Sequence, residues 1–474
     1  MLQGPRSFWV GGFAAGMAAC AAMPLTASPV CGETLESALV QAYQNNPSLN
    51  SQRAATRAID EGVPQALAGY RPKIAVTGTG GEQSLSTTTK TSNLGVGTYA
   101  TVSGYNSPAS VGATITQTLY NGFQTANKTR QAESTVLAAR ATLRVTEQTV
   151  LLSAATAYMN LLRDTAILDL QRRNVEVLQE QLRQTRDRFN VGEVTRTDVA
   201  QAESSLAAGR SQVLLAEANY TASVATYRQV IGTEPGKLSP ATPVDRFSPH
   251  NLPGAVSVGT SNNPAITTAE YNVDAALQAV KVAEGALYPT VSVQGSFAQD
   301  WLYATSLSVM NQYYASVLGT ISVPIYQGGA EYSMIRQAKE TLGQTRLNLD
   351  TARDTVRQSV VQAWGQLEAA KANISATEAQ VQASEIALNG IREEARVGQR
   401  TTFDVLTAQQ TLVNARVALV TAQHDRVVAS YTLLSAVARL SPEVLGLHVP
   451  AYDATIHYKR VRDSWAGVRT PDGR

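Results

Sequence analysis

Two stretches of this chain, Arg188–Ala202 (RFNVGEVTRTDVAQA) and Glu394–Ala408 (EARVGQRTTFDVLTA), align at a spacing of 206 residues. The same spacing pairs Tyr120-Asn121-Gly122 with Tyr326-Gln327-Gly328, Arg130-Gln131-Ala132 with Arg336-Gln337-Ala338, and Tyr158 with Trp364. An internal repeat of this kind constrains the fold more than any composition does, because each copy must adopt the same supersecondary structure and bury its apolar face against the other. Further upstream, Asn45-Asn46-Pro47 and Asn262-Asn263-Pro264 match at 217. The first copy therefore carries about eleven extra residues, and they fall in its Ser/Thr/Gly-rich part.

Each copy reads as a helix, a charge-poor segment, a very long helix, a glycine turn and a further helix. Residues 33–232 form the first copy, with a helix over 33–69, a hairpin over 73–119, a long helix over 122–189 and a helix over 195–231. Residues 263–440 form the second, with a hairpin over 290–326, a long helix over 330–397 and a helix over 401–440. A linker over 233–262 joins them, and 441–474 form a tail. A helix of that length runs for roughly 100 Å at ~1.5 Å per residue, too far for one compact core. After the turns, Val199, Ala202, Leu206, Gly209, Val213, Ala216 and Tyr220 follow alternating steps of three and four, as do Val405, Ala408, Leu412, Ala415, Leu419, Ala422 and Arg426. These are heptad seams in which small residues let facing helices approach closely.

The charge-poor segments alternate with period two. Val111, Ala113, Ile115 and Leu119 oppose Gly112, Thr114, Thr116 and Thr118; in the second copy Val317, Gly319, Ile321, Val323 and Ile325 oppose Thr320 and Ser322. Pro72 and Pro289 stop the preceding helices, since proline lacks the amide donor and displaces its predecessor from helical angles. Uncharged alternation in roughly ten-residue pieces suits a transmembrane β-barrel strand, and equally a half-buried strand of a soluble sandwich. Four strands are too few to close a barrel in lipid, so the first alternative requires several copies of the chain.

The N-terminus bears on that choice. Residues 1–32 carry Arg6 and then an uncharged stretch from Phe8 to Met23, the pattern of a secretory signal peptide. Both cysteines, Cys20 and Cys31, lie there, so cleavage after Gly32 leaves a mature chain without cysteine; the alternative is a lipid anchor on Cys20. Charged residues make up 16% of the sequence and the net charge is +2, which gives no basic surface for nucleic acid. His250, His424, His448 and His457 show no metal-ligand spacing, and no nucleophile or phosphate-binding motif is present, so neither cofactor, metal nor enzymatic activity is expected.

This combination, with VG turns at Val191-Gly192 and Val397-Gly398, DV pairs at Asp198-Val199 and Asp404-Val405, asparagine-proline starts at Pro47 and Pro264, and aromatic-glycine entries at Tyr120, Gly122, Tyr326 and Gly328, resembles the TolC-type outer-membrane efflux proteins. The resemblance implies a mainly α fold with a membrane β-barrel portion. A homotrimer would place a long α-helical coiled-coil barrel in the periplasm and continue it into one twelve-stranded barrel in outer-membrane lipid. It implies a periplasmic adaptor and an inner-membrane transporter, of ABC or RND type, as partners. It places a closed aperture at the glycine turns, where Asp404 would line the constriction and Arg400, Thr197 and Asp198 match polar links between neighbouring hairpins. Val191, Gly192, Val397 and Gly398 would be adaptor-docking tips. The competing class is a structural coiled-coil surface or periplasmic protein without channel activity.

Overall fold

The computed structural model describes residues 33–93, 96–304 and 311–471, so the expected signal peptide over 1–32, with both cysteines, lies outside the described residues. In chain order the helices are α1 (Leu35–Asn45), α2 (Pro47–Asp60), α3 (Gly62–Leu67), α4 (Gln124–Asn190), α5 (Arg196–Ile231), α6 (Leu252–Asn262), α7 (Pro264–Gly285), α8 (Ala330–Arg396), α9 (Thr402–Ala436) and α10 (Thr455–Val461). The strands are β1 (Lys73–Gly80), β2 (Gln83–Asn93), β3 (Val96–Asn121), β4 (Thr290–Ala304) and β5 (Asn311–Ser322). Among the described residues no helix is long and apolar enough to cross a membrane.

The helix expected over 33–69 is broken at Asn46 and again at Glu61, the second break falling beside Gly62 and Pro64, the residues in the sequence that disfavour an unbroken helix there. Asn46 adopts an extended backbone (ψ 122) and its side-chain oxygen accepts from Ser48 N at 2.9 Å; Asn263 does the same (ψ 122) toward Ala265 N at 2.9 Å. An asparagine cap before proline starts a new helix at each place, because proline's missing amide would go unsatisfied at N1 anyway. The stretch 233–262, expected to be a linker, contains α6, which repeats α1 at the 217 spacing. The second repeat thus opens near Leu252. Both copies begin with the same pair of short helices.

β1 and β2 pair successive parts of β3 in one register, Lys73 opposite Thr116 through Asn93 opposite Val96, and behave as a single strand interrupted at Gly81-Glu82. The second hairpin pairs Thr290 with Ser322; its return strand stops there, so Val323 and Ile325 lie beyond it, beside Pro324, which has no amide to donate. The sheet order is β1/β2, β3, β4, β5, all antiparallel, and the outer edges of β1/β2 and β5 have no strand partner among the described residues. One face carries Ile74, Val76, Val111, Ile115, Phe297, Val317 and Ile321, and these are exposed, Val317 at 81%. The other carries hydroxyls that pair across strands, Thr79 with Ser110 and Ser296 with Ser316, each at 2.7 Å.

Helices α4 and α8 each have 67 residues. α5 and α9 return along them, α4 also touches α9, and towards the sheet α7 packs between α4 and α8. Along the seam Ala202, Leu206, Gly209 and Ala216 are buried, as are Val405, Leu412, Ala415 and Ala422. A Cβ at Gly209 would stand 2.8 Å from Leu178 Cδ1, so the absent side chain sets how near α5 lies to α4. Mid-length, an apolar cluster gathers Leu35, Leu39, Leu49, Leu151, Tyr158, Tyr227 and Leu434. The Tyr158 hydroxyl lies 2.8 Å from the Glu33 carbonyl and accepts from Ser239 N at 3.0 Å, tying the chain start and the inter-repeat segment to α4. The tail straps the first repeat: His457 on α10 meets the buried Asp60 carboxylate at 3.1 Å, Arg140 stacks over Tyr458, and Arg71 over Trp465. Burial raises the Asp60 pKa against the lowering pull of His457 and Arg140.

Candidate functional site

The site lies where each long helix reverses. Helix α4 ends at Asn190; Val191 follows at φ −94, and Gly192 takes φ +79. In the second copy Val397 sits at φ −95 and Gly398 at φ +79. Gly192 N donates to Phe189 O and Glu193 N to Arg188 O, both at 2.9 Å; Gly398 N donates to Ala395 O at 3.2 Å and Gln399 N to Glu394 O at 2.9 Å. A left-handed residue is what lets the chain fold back over the last carbonyls of the helix, and glycine accepts it without a Cβ penalty. Val191 and Val397 are left 78% and 71% exposed at the tips.

The returning helices start with identical capping boxes. Asp198 Oδ2 accepts from Thr195 N at 2.9 Å while Asp198 N donates to Thr195 Oγ1 at 3.3 Å; Asp404 Oδ2 accepts from Thr401 N at 3.0 Å while Asp404 N donates to Thr401 Oγ1 at 3.3 Å. The Thr401 amide and hydroxyl, helped by Arg400, hold the Asp404 carboxyl below the usual aspartate value. Both aspartates are thus helix-start residues in the chain, whatever else they do.

The structure divides the predicted residues between two grooves. Arg400 and Asp198 both line a cleft of about 740 Å³ between the two tips, together with Arg188, Glu193, Arg392 and Gly398. Asp404 lines a second, of about 460 Å³, with Arg400, Phe403 and Thr407. Thr197 is exposed and lines neither. Within the chain Arg400 pairs with Glu394 at 2.8 Å, in its own turn, and not with Asp198.

Sequence reading missed a charge reversal. In the first turn Arg188 pairs with Glu193 at 2.7 Å; in the second, Glu394 occupies the place equivalent to Arg188, and Arg400 supplies the cation. The aligned repeats held part of the signal, opposite charges at the one matched position Arg188 and Glu394, while Arg400 matches Val194 and Glu193 matches Gln399. Phe403 was missed as well, 55% exposed on the flank of α9 between two grooves.

Pro72 and Pro289 directly precede β1 and β4. Gly122 (φ +64) and Phe123 (φ +61) lead into α4, and Gly328 (φ +71) and Gly329 (φ +84) into α8, beyond Tyr120 and Tyr326. A Cβ on Gly122 would meet the Gly285 carbonyl at 2.3 Å, whereas Gly328 has open space around it.

Comparison with known proteins accords with this geometry. A sequence profile described as "Outer membrane efflux protein" matches residues 38–233 and 257–439, one segment per repeat. The chain is 43% identical over 95% of its length, and 95% of the relative's, to the outer membrane efflux protein BepC of Brucella suis biovar 1 (strain 1330). It is 27% identical to the outer membrane protein TolC of Escherichia coli (strain K12), over 86% of this chain and 83% of that one. Among solved structures, the CmeC outer membrane channel of Campylobacter jejuni superposes with a TM-score of 0.72 at 16% identity, covering 90% of this chain and 89% of that one. VceC of Vibrio cholerae does so with 0.69 at 20%, covering 85% and 96%. On the strength of the matched profile and a relative that is similar from end to end, the chain belongs to the outer membrane efflux protein family.

Proposed function

We propose that this outer-membrane efflux channel works as a closed ring of three chains, and that the paired helix turns are both its periplasmic gate and its docking tips for a periplasmic adaptor. The observation that carries the ring is the repeat itself. Inside the chain the first copy's β3 pairs with the second copy's β4, and the start of α4 packs on the end of α7 at Gly122 and Gly285. Among the described residues the corresponding groups of the second copy, the outer edge of β5 and Gly328, have nothing packed on them, and the outer edge of β1 has no strand beside it. A lipid-facing sheet cannot leave edges open, so β5 of one chain pairs with β1 of the next, and α8 lies against its α2, α3 and α5. Four strands from each of three chains close the barrel.

In this reading the sheet stands in the outer membrane and the helices form a periplasmic tunnel that takes substrates from an inner-membrane transporter of ABC or RND type. The protein carries out no chemistry of its own. At the tip three copies of Asp404 narrow the tunnel, and Arg400, Asp198 and Thr197 bridge neighbouring hairpins. The exposed valines beside Gly192 and Gly398 meet the adaptor, which opens the ring by binding the open form better. Planar-bilayer recording tests the reading: the purified protein conducts, and Asp404→Ala weakens cation selectivity and block by multivalent cations. Unchanged selectivity and block would leave Asp404 as a capping residue alone.

A further inference from the structure

Among the described residues β4 reaches no further than Ala304, opposite Asn106, and beyond it β2 and the first part of β3 continue as a ribbon of eleven residue pairs from Gln83 with Asn106 to Asn93 with Val96. It projects about 35 Å past the sheet at ~3.4 Å per residue. Because β1 and β2 keep one register across their interruption, the ribbon's two faces continue the two faces of the sheet. The apolar face with Ile74, Val76, Val111 and Ile115 runs on into Ser84, Ser86, Thr88 and Lys90, opposite Tyr105, Ser103, Thr101 and Tyr99. The hydroxyls pair across the strands, Ser86 with Ser103 at 2.8 Å and Thr88 with Thr101 at 2.9 Å. Lys90 Nζ lies 5.6 Å from the Tyr99 ring centre, and Tyr99 and Tyr105 are 69% and 80% exposed. Lys90 is the one charged residue in the ribbon's strands; Glu82 stands below, in the break before β2. The opposite face bears Leu85, Thr87 and Thr89 against Gly104, Val102 and Ala100, with no charge and no tyrosine.

We propose that the tyrosine-lysine face of this ribbon docks the phosphorylated core sugars that extend outward from the lipid A of the outer-leaflet glycolipid. The proposal rests on the membrane-barrel reading above, which turns the continuous apolar face below it toward lipid. Going outward along that face, acyl chains give way to sugars and phosphates, and the side chains change in step, from aliphatic to hydroxyl, tyrosine and lysine. Tyrosine offers a flat apolar ring to sugar C–H groups and a polar tip to water. Each paired hydroxyl retains lone pairs for an external donor. Lys90 supplies a point charge suited to phosphate. The polarity of the face matches one occupant throughout its length.

The test titrates the detergent-purified oligomer, its mass checked by native mass spectrometry, with rough lipopolysaccharide (lipid A plus phosphorylated core sugars) and separately with lipid A. The wild type is expected to bind the rough form more tightly. A Lys90→Gln/Tyr99→Ala/Tyr105→Ala variant, altered only at exposed strand positions, should bind it about tenfold more weakly, a change worth ~1.4 kcal/mol, and keep its affinity for lipid A. Thr87→Ala/Thr89→Ala, on the other face, should bind both as the wild type does. Equal binding by the triple variant would overturn the proposal. So would a loss confined to the Thr87→Ala/Thr89→Ala variant, since that would turn the other face outward and leave the tyrosines over the pore mouth of neighbouring copies. Wild-type oligomer that binds neither lipid would overturn it too, whereas a purified protein that fails to conduct in a planar bilayer would instead sink the barrel reading on which the proposal rests.

Discussion

Helices α4 and α8 have the same length, enter after the same aromatic-glycine step and leave through the same turn, yet α4 buries 22 side chains and α8 only ten. The difference is one of place. α4 sits at the junction between the two copies, flanked by α5, α9 and α7 and crossed by α1, α2 and α3, whereas among the described residues α8 packs closely on α6, α7 and α9 alone. Matched positions show it: Ala141 is 6% exposed while its equivalent Leu347 is 68% exposed, and Gly122 is packed where Gly328 is open. A chain whose second copy repeats the first but lacks its neighbours presents, on α8, the surface that a further copy must cover.

Breaking the covered side should have the largest effect. Tyr158 is fully buried and holds two backbone segments to α4, so Tyr158→Ala should cost about 3 to 5 kcal/mol. Trp364, its half-buried equivalent on α8, should cost less than half of that in a chain kept dissociated. Equal losses in thermal or denaturant unfolding would show α8 to be as well covered as α4. Next, Leu347→Asp should leave the helical circular dichroism of the chain intact but abolish the oligomer in native mass spectrometry, at about 2 to 4 kcal/mol per interface. Ala141→Asp should instead unfold the protomer, and a surviving Leu347→Asp oligomer would remove α8 from the interface.

At the turns the two copies are alike, which makes them a control. Gly192→Val and Gly398→Val, both forced to φ +79, should each cost about 1 to 3 kcal/mol. Both should impair export with the oligomer preserved; normal export by either would show that its turn does not meet the adaptor. The smallest effect concerns pH. Because the Asp404 pKa is depressed by the Thr401 amide and hydroxyl, its capping contribution is present above the ordinary carboxylate value of about 3.9. It is lost only as pH falls through the lower native value. Cation selectivity of the closed channel should follow the same course and persist at pH 5. A midpoint above the ordinary value would show that mutual repulsion among three carboxylates outweighs the cap.

Much of this was legible beforehand. Period-two alternation, prolines before β1 and β4, and glycine turns at Gly192 and Gly398 are local signals, each resting on what a single residue's backbone can adopt. The break at Asn46 carried its own signal, the Asn46-Pro47 step that matches Asn263-Pro264, and the reading of one helix over 33–69 passed over it. α6 was hidden in a stretch rich in glycine, serine and proline, and becomes helical by packing Ala255 and its neighbours against Val360 and Leu433.

The sequence by itself determined the duplication, the elements, and the polarity of each strand face and helix seam, since these follow from spacing and side-chain type along one continuous segment. Only the tertiary structure decided that Arg400 pairs with Glu394, that the tail crosses the chain to set His457 on Asp60, and that β3 joins β4 and leaves β1 and β5 as edges. Those outcomes depend on which of several chemically equivalent partners comes within a few ångströms. That choice is made when elements far apart in the chain pack together, because charge pairing and strand pairing fall off over distances far shorter than the chain separating their members.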